Sequence, residues 1–270
     1  MTMENNNLQP LIQTEGITCS FNGGPPILDG INLKIHRSST TVIIGPSGCG
    51  KSVLLKHLVG LLRPEKGHIY FDGEDITVKN EKEMVPIRRK IGFLFQGGAL
   101  FDSMTVRENI IYPMKVHDVG DINQRNVRCK QVLRMVGLEG TEDRHPAELS
   151  GGQKKRIALA RAIVLDPEVI FYDEPTTGLD PIRAALINEL IIDLKQTLAN
   201  TALIVTHDIE SAKKVGDRIL MLHKGNFILD SSPETLENTD NKIVKRFVNG
   251  QASQDEIQHH GLDGTEKHDG

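Results

Sequence analysis

Residues 45–52 have the types and spacing of a phosphate-binding loop. They read Gly-Pro-Ser-Gly-Cys-Gly-Lys-Ser, which matches the pattern G-x-x-x-x-G-K-[ST] at every fixed position. Glycines let the backbone turn so that successive N–H groups point at one anion. In this pattern the lysine reaches the β- and γ-phosphates and the serine hydroxyl reaches Mg²⁺. The sequence therefore predicts that Lys51 binds phosphate and that Ser52 binds the metal ion.

The residues on either side predict the strand and the helix that such a loop requires. Residues 40–44 are apolar or β-branched, as in a buried parallel strand. Residues 52–60 place apolar side chains at helical spacing. The positive end of this helix would face the bound phosphates. The order strand, glycine-rich loop and helix favours a nucleotide site over a ligand-free turn.

Polar side chains end three further apolar, strand-like segments. These side chains are the pair Asp173 and Glu174, then His207, and finally Gln96. A carboxylate at the end of a buried strand can hold Mg²⁺, and the next carboxylate can polarise an attacking water. An imidazole there can reach a γ-phosphate, and an amide can orient water or a metal ligand. We predict a metal site formed by Ser52, Gln96 and Asp173, and catalytic roles for Glu174, His207 and Gln96.

The segment Ser150-Gly151-Gly152-Gln153 opens a predicted helix far from residues 45–52 in the chain. A serine and two glycines at a helix N-terminus form a second anion site. One nucleotide has one γ-phosphate, and Lys51 already serves it. A second phosphate-binding helix end is useful if it contacts the nucleotide of another copy of the chain.

Composition and charge restrict the class of protein. The chain is 38% hydrophobic and 25% charged, which is typical of globular proteins. No apolar run reaches the roughly 18 residues that a membrane span needs, and residues 1–10 lack a signal-peptide core. The three cysteines form no metal or disulfide pattern. We therefore expect a cytoplasmic protein.

The net charge of −4 comes from the last twenty residues, which hold five acidic side chains and one lysine. The remaining chain is formally neutral. A neutral body has no broad basic field for nucleic acid, so we predict no nucleic-acid partner.

Taken together, these motifs resemble those of ATP-binding cassette (ABC) ATPases, over roughly residues 10–230. The resemblance implies an α/β fold of the P-loop NTPase class, with a RecA-like core, an antiparallel β subdomain and a helical subdomain carrying the signature motif. It implies ATP and Mg²⁺ as cofactors and a head-to-tail homodimer with two ATP molecules between phosphate loop and signature. Glu174 would be the general base, His207 the γ-phosphate sensor and Asp180 the D-loop residue. The implied nucleotide contacts are Phe21, Gly45, Pro46, Ser47, Gly48, Cys49, Gly50, Lys51, Ser52, Val53, Ser150, Gly151, Gly152, Gln153 and Asp180.

Two positions depart from the family pattern. The family usually stacks adenine on a tyrosine, and the candidate here is Phe21, which keeps the stacking surface and lacks the phenol oxygen. The residue after Ser52 is often threonine in the family and is Val53 here, so one possible phosphate hydroxyl is missing. Neither change removes a group that hydrolysis requires.

The predicted organisation has five parts. They are a polar N-terminal tail (1–10), an ATP-binding core with the β subdomain (11–104 and 164–230), the helical signature subdomain (105–163), a C-terminal helical extension (231–249) and a disordered tail (250–270). Thr105 and Glu108 predict a capped helix start, and Pro86 predicts a break or a start in the helix of residues 81–90.

Residues 95–109 resemble the Q-loop region of ATPases that work with MCE-protein lipid transporters, such as the Mla system that moves phospholipid between bacterial inner and outer membranes. This implies a peripheral subunit on the cytoplasmic face of the inner membrane. Its partners would be an integral membrane permease, an MCE-domain lipid-binding protein and a small regulatory subunit. The C-terminal extension would then contact the dimer partner or the small subunit, and Gly97-Gly98 would absorb a hinge motion.

Three other functions remain open from the sequence. The chain could be the ATPase subunit of a small-solute importer, for example for an amino acid. It could be a soluble ABC ATPase acting on DNA or ribosomes, although such relatives usually carry two cassettes or a coiled-coil insertion. A binding module that does not hydrolyse ATP is disfavoured because Glu174, His207 and Gln96 are all present.

Overall fold

The computed structural model describes residues 9–251. Residues 1–8 and 252–270 lie outside the described part, and with them most of the expected N-terminal tail and C-terminal disordered tail. The strands are β1 (Ile12–Cys19), β2 (Leu28–Ile35), β3 (Thr40–Ile44), β4 (Lys66–Phe71), β5 (Glu74–Asp75), β6 (Ile91–Leu94), β7 (Val169–Asp173), β8 (Thr201–Thr206), β9 (Arg218–His223) and β10 (Asn226–Ser231). The α-helices are α1 (Lys51–Leu58), α2 (Glu81–Arg89), α3 (Val106–Val116), α4 (Ile122–Met135), α5 (Gly151–Ile163), α6 (Pro181–Leu198), α7 (Ile209–Val215) and α8 (Lys242–Val248).

The strands form two sheets. The larger sheet has the order β10-β9-β3-β8-β7-β6, with every pair parallel except β9 and β10. The smaller sheet has the order β2-β1-β4-β5 and is antiparallel throughout. All residues of β3, β7 and β8 are buried, as expected of parallel strands covered on both faces. The predicted α/β architecture with an antiparallel β subdomain is confirmed.

Two hydrophobic cores lie on opposite faces of the larger sheet. Because side chains alternate along a strand, Ile170 and Tyr172 of β7 point to one core while Phe171 points to the other. The first core contains buried residues of α3, α4, α5 and α6, and the second contains those of α1 and of the smaller sheet. The larger sheet is therefore fixed from both sides, which fixes the loops at its ends.

Helix starts follow the predicted capping chemistry. The Thr105 side chain accepts from the N–H of Glu108, and the Glu108 carboxylate accepts from the N–H of Thr105. Ser150 and Gln153 form the same reciprocal pair at α5. The helical segment predicted for residues 105–163 thus contains α3, α4 and α5.

Pro86 lies inside α2, so the expected break or start at this residue is wrong. The proline removes one N–H from the helix ladder. The helix persists because Asn80 and Glu83 cap its start, and because Arg88 donates to the carbonyls of Val59 and Gly60. These contacts outweigh the single missing hydrogen bond.

The chain after the larger sheet forms a 3₁₀ helix (Pro233–Asn238) and α8. Leu236 and Val244 are fully buried in the first core, so this segment packs against the larger sheet. Among residues 9–251, no helix combines the length and the apolar character needed to cross a bilayer.

Candidate functional site

The predicted site residues come together at the carboxyl edge of the larger sheet. The strands β3, β8, β7 and β6 are neighbours and parallel, and Ile44 pairs with Thr206 while Val205 pairs with Asp173. The phosphate-binding loop follows β3, His207 follows β8, Asp173 ends β7 and Gln96 lies shortly after β6. Ligands of open parallel sheets bind outside this edge.

The loop between β3 and α1 approaches its neighbours closely. A Cβ atom on Gly45, whose φ is 155°, would lie 2.4 Å from the backbone oxygen of Leu222 in β9. Lys51 is 6% exposed, and its Nζ donates to the carbonyls of Gly45 (2.7 Å) and Pro46 (3.1 Å). Gly50, with φ of 106°, is the N-cap residue of α1. The lysine is therefore held inside the loop that would surround the phosphates.

Ser52 and Asp173 form the contact expected of a magnesium site. The Ser52 hydroxyl donates to Oδ1 of Asp173 at 2.8 Å. Burial raises the pKa of Asp173, the nearby Glu174 carboxylate raises it further, and the bond from Ser52 opposes both effects. Mg²⁺ prefers hard oxygen ligands, and a cation would stabilise this buried carboxylate. The two side chains therefore fit the ion.

Glu174 is the most contacted side chain of the site. Its Oε2 accepts hydrogen bonds from Thr177 (3.1 Å) and Thr206 (3.4 Å), and lies 2.8 Å from Nδ1 of His207. Its Oε1 lies 3.6 Å from Nζ of Lys51. Glu174 is 8% exposed, so the carboxylate is fixed between the phosphate-binding loop and the end of β8.

Gln96 lies at the predicted carboxyl edge of the larger sheet, but its side chain does not join Ser52 and Asp173. It is exposed, and its side chain forms no hydrogen bond to any residue from 9 to 251. It occupies a turn closed by the N–H of Gly98 and the carbonyl of Phe95 at 2.8 Å. Gly98 has a φ of 75°, so the predicted double-glycine segment does take up a conformation that favours glycine.

Phe21 is available for stacking. It is 44% exposed and lies in the loop between β1 and β2. The same loop reaches the phosphate-binding loop, because a Cβ atom on Gly50 would lie 3.0 Å from Ile27. The aromatic ring is thus carried by a segment that contacts the end of the phosphate-binding loop.

The signature residues are not bonded, in residues 9–251, to the chain's own phosphate-binding loop. Within the described part of the chain, no hydrogen bond or ion pair joins residues 150–153 to residues 45–52. They lie instead beside Asp180, since Arg183 pairs with Asp180 at 3.1 Å and approaches the Cβ position of Gly152 at 3.8 Å. Asp180 also caps α6 through the N–H of Arg183. The two motifs form one exposed surface.

Three residues of the site were missed by sequence reasoning. Thr177 and Thr206 hold the Glu174 carboxylate, and Lys155 holds its backbone. The positions of the two threonines, directly before His207 and three residues after Glu174, are signals that could have found them. Lys155 has no such signal, because its contact joins two elements distant along the chain.

Comparison with known proteins agrees with this geometry. The sequence profile described as "ABC transporter" matches residues 28–177, more than half of the chain. The chain belongs to the ABC transporter family. It is therefore an ABC-type ATPase that binds ATP, with the fold of an ABC cassette.

Among individual proteins, the probable ribonucleotide transport ATP-binding protein mkl of Mycobacterium leprae is 43% identical over 239 residues, covering 88% of this chain and 69% of that protein. The intermembrane phospholipid transport system ATP-binding protein MlaF of Haemophilus influenzae is 38% identical, with 90% and 92% covered. The dimeric, ADP- and Pi-bound structure of the cassette MJ0796 superimposes with a TM-score of 0.76 at 33% identity, covering 82% of this chain and 98% of that one.

Proposed function

We propose that this ABC protein hydrolyses ATP in a head-to-tail homodimer and thereby drives phospholipid transport between two membranes. The observation that carries the hydrolytic part is the environment of Glu174. A buried carboxylate lies between the phosphate-binding lysine and a histidine, at the sheet edge where Ser52 and Asp173 meet.

In the proposed reaction, the phosphate-binding loop and Lys51 hold the β- and γ-phosphates, and Ser52 and Asp173 hold Mg²⁺. The ion, when bound, neutralises charge on the phosphate oxygens. Oε2 of Glu174 already accepts from two threonines and faces His207, whereas Oε1 accepts no hydrogen bond from the part of the chain that the structure describes and faces the Lys51 ammonium at 3.6 Å. Oε1 is therefore the oxygen that takes the proton of the attacking water. His207 fixes the carboxylate at Oε2 and lies where it can sense the γ-phosphate. Gln96 would join this site after a movement of its exposed turn.

The dimer is supported by the separation of the two anion sites within one chain. Ser150 and Asp180 are both exposed, and within the described residues neither bonds to the chain's own phosphate-binding loop. We propose that they complete the nucleotide site of a second copy, while Phe21 stacks on adenine. Residues 105–163 would form the signature subdomain, and residues 231–249 would contact the second copy or a small regulatory subunit.

Glu174→Gln tests the hydrolytic assignment and the dimer together. The variant should lose ATP turnover and elute as a dimer in the presence of ATP and Mg²⁺. Glu168→Gln is the matched control, because Glu168 precedes the other end of β7, where it pairs with Arg37 and Lys90. The control should keep its turnover. A Glu174→Gln variant that hydrolyses ATP normally, or a monomer with full activity, contradicts the proposal.

A groove of about 450 Å³ beside Gln96 is the proposed contact for a membrane permease. Its walls carry the exposed aromatic side chains of Phe95, Phe101 and Tyr112. Exposed aromatic groups are enriched at protein–protein interfaces. A permease segment bound there would feel any movement of the Gln96 turn, which would couple ATP binding to transport.

The phospholipid cargo is supported by the MlaF relative, which matches over 92% of its length, and by residues 95–109. A chloroplastic relative in Arabidopsis thaliana, the protein TRIGALACTOSYLDIACYLGLYCEROL 3, is 37% identical over 91% of this chain. We propose partners of the same kind, namely a permease, an MCE-domain protein and a small regulatory subunit. The chain would then lie on the cytoplasmic face of the inner membrane.

Purification of the native complex from its own membranes tests the cargo. Mass spectrometry should find a permease and an MCE-domain protein, and the reconstituted complex should move fluorescent phospholipid between vesicles only with ATP. The name of the mycobacterial relative makes a ribonucleotide the second candidate cargo. ATPase stimulation by a solute-binding protein carrying a ribonucleotide or an amino acid, without lipid movement, would replace the phospholipid proposal.

A further inference from the structure

Glu174 has an unfavourable backbone conformation. Its φ is 51°, in the left-handed region that residues other than glycine rarely adopt, and the next residue is proline. Such conformations persist only where surrounding contacts determine them, and they are frequent in active sites. The contacts that hold this backbone therefore determine the direction of the Glu174 carboxylate.

Three contacts hold the backbone at this position. The N–H of Glu174 donates to the carbonyl of Val205, and the carbonyl of Glu174 accepts from the N–H of Thr177. The remaining contact is a side chain from another element. Nζ of Lys155, on α5, donates to the carbonyls of Glu174 at 3.2 Å and Pro175 at 2.8 Å.

Lys155 is an unusual residue for this place. It is 8% exposed, although lysine is almost never fully buried unless paired. Burial lowers its pKa, and the negative charge of Glu174 opposes that effect. The other lysine near this carboxylate, Lys51, approaches from the phosphate-binding loop, so Glu174 lies between cations from two different elements.

The geometry points to Lys155 as the residue that positions Glu174 for ATP hydrolysis and joins it to the signature helix. Lys155 lies five residues after Ser150 on the same rigid helix. Displacement of the signature residues by a nucleotide therefore acts on the backbone of the base in the chain's own site. This inference rests on the proposed role of Glu174 as the base.

A lysine that only stabilises the fold would act differently from one that positions the base. Lys155→Met keeps much of the side-chain volume and removes all donors, which leaves the Pro175 carbonyl without this partner. We expect kcat to fall about 10- to 100-fold, since a displacement near 1 Å costs this much. The KM for ATP and the equilibrium affinity for ATP should change less than about twofold, because Lys155 does not contact the nucleotide-binding loop. Lys155→Gln, which keeps two N–H donors, should recover part of the loss.

Arg128→Met is the matched structural control. Arg128 also bonds carbonyls at α5, donating to Ile163 and Val164 at the opposite end from the signature motif. This variant should lower the melting temperature and leave kcat unchanged. An equal loss of kcat in Arg128→Met would mean that general loosening of α5 explains the effect, and would overturn the inference.

A double-mutant cycle with Glu174→Gln gives the deciding result, using the full-length chain. If Lys155 acts through Glu174, Lys155→Met should not lower the residual hydrolysis of Glu174→Gln further. Equal fold-losses in both backgrounds, or unchanged kcat in Lys155→Met, would overturn the inference while leaving Glu174 as the base. Normal turnover in Glu174→Gln alone would instead refute the proposed function. If Lys155→Met does not fold, Lys155→Leu, which also lacks every donor, provides the same cycle.

Discussion

Gly45→Ala tests how tightly the phosphate-binding loop is held against the sheet. The added Cβ atom would lie 2.4 Å from the backbone oxygen of Leu222 and 2.8 Å from Sγ of Cys49. The oxygen belongs to β9, a hydrogen-bonded neighbour of β3, so it cannot move away without disrupting the larger sheet. Restoring an ordinary contact therefore requires the loop to shift by roughly 1 Å. A misplacement of this size can lower the activity of a site by about 100-fold.

We expect the affinity of Gly45→Ala for ATP to fall by about 100-fold, or roughly 2.7 kcal/mol. Titration calorimetry or a fluorescent ATP analogue measures this directly. Gly16→Ala is the control, since Gly16 has a φ of 60° but open space around its Cβ position. The control should lose about 1 kcal/mol of stability through backbone strain and bind ATP normally. Affinity within threefold of wild type in Gly45→Ala would refute the argument that the sheet holds the loop.

Three further predictions concern the same edge of the sheet. Because the pKa of Asp173 is raised, its ionised form destabilises the nucleotide-free fold as the pH rises through that pKa. Asp173→Asn should therefore melt about 2–4 °C higher at pH 7.5, which corresponds to roughly 1 kcal/mol of added stability. This gain should vanish at acidic pH, where the wild-type carboxyl is protonated. The variant should also lose the stabilisation that Mg²⁺ with ATP gives the wild type. A lower melting point at pH 7.5 would contradict this. A maleimide should modify Cys49 first and inhibit, because Cys49 is partly exposed while Cys19 and Cys129 are buried. Burial raises the pKa of the Cys49 thiol, so labelling should be slow at neutral pH and faster at alkaline pH. Mass spectrometry locates the label, and full sensitivity in Cys49→Ala would disprove the link to inhibition. His207→Ala should lower kcat about 100-fold with ATP affinity nearly unchanged, and a normal kcat would remove His207 from the mechanism.

The sequence alone was enough to bring the main site residues together. Lys51, Asp173, Glu174 and His207 lie at or after the carboxyl ends of apolar parallel strands, and these ends meet at one edge of the sheet. The capped starts of α3 and α5 were equally accessible, since a capping box depends on residues three apart. These features are local in sequence or follow from the handedness and direction of parallel sheets.

Other features could not be predicted because they depend on long-range contacts. The pattern around Pro86 indicated a break, and only the bonds of Arg88 to the end of α1 explain why α2 continues. The left-handed backbone conformation of Glu174 could not be predicted, because neither a glutamate nor the proline that follows it indicates a positive φ. Gly98 adopts a backbone conformation that favours glycine, but the distance of the Gln96 turn from Asp173 depends on how the turn folds back. Tertiary packing determines each of these.

The helix α5 also connects the proposed nucleotide surface to the proposed permease groove. Ser150 caps its first turn, and Arg161 in its last turn donates to the carbonyls of Gly98 and Ala99, beside Gln96. The two residues are about 16 Å apart along the axis, and an α-helix of this length resists compression. The helix α5 is therefore a rigid mechanical link, which carries the signature motif at one end and is bonded to the wall of the groove at the other. A displacement applied at either end must appear at the other unless the Arg161 bonds break.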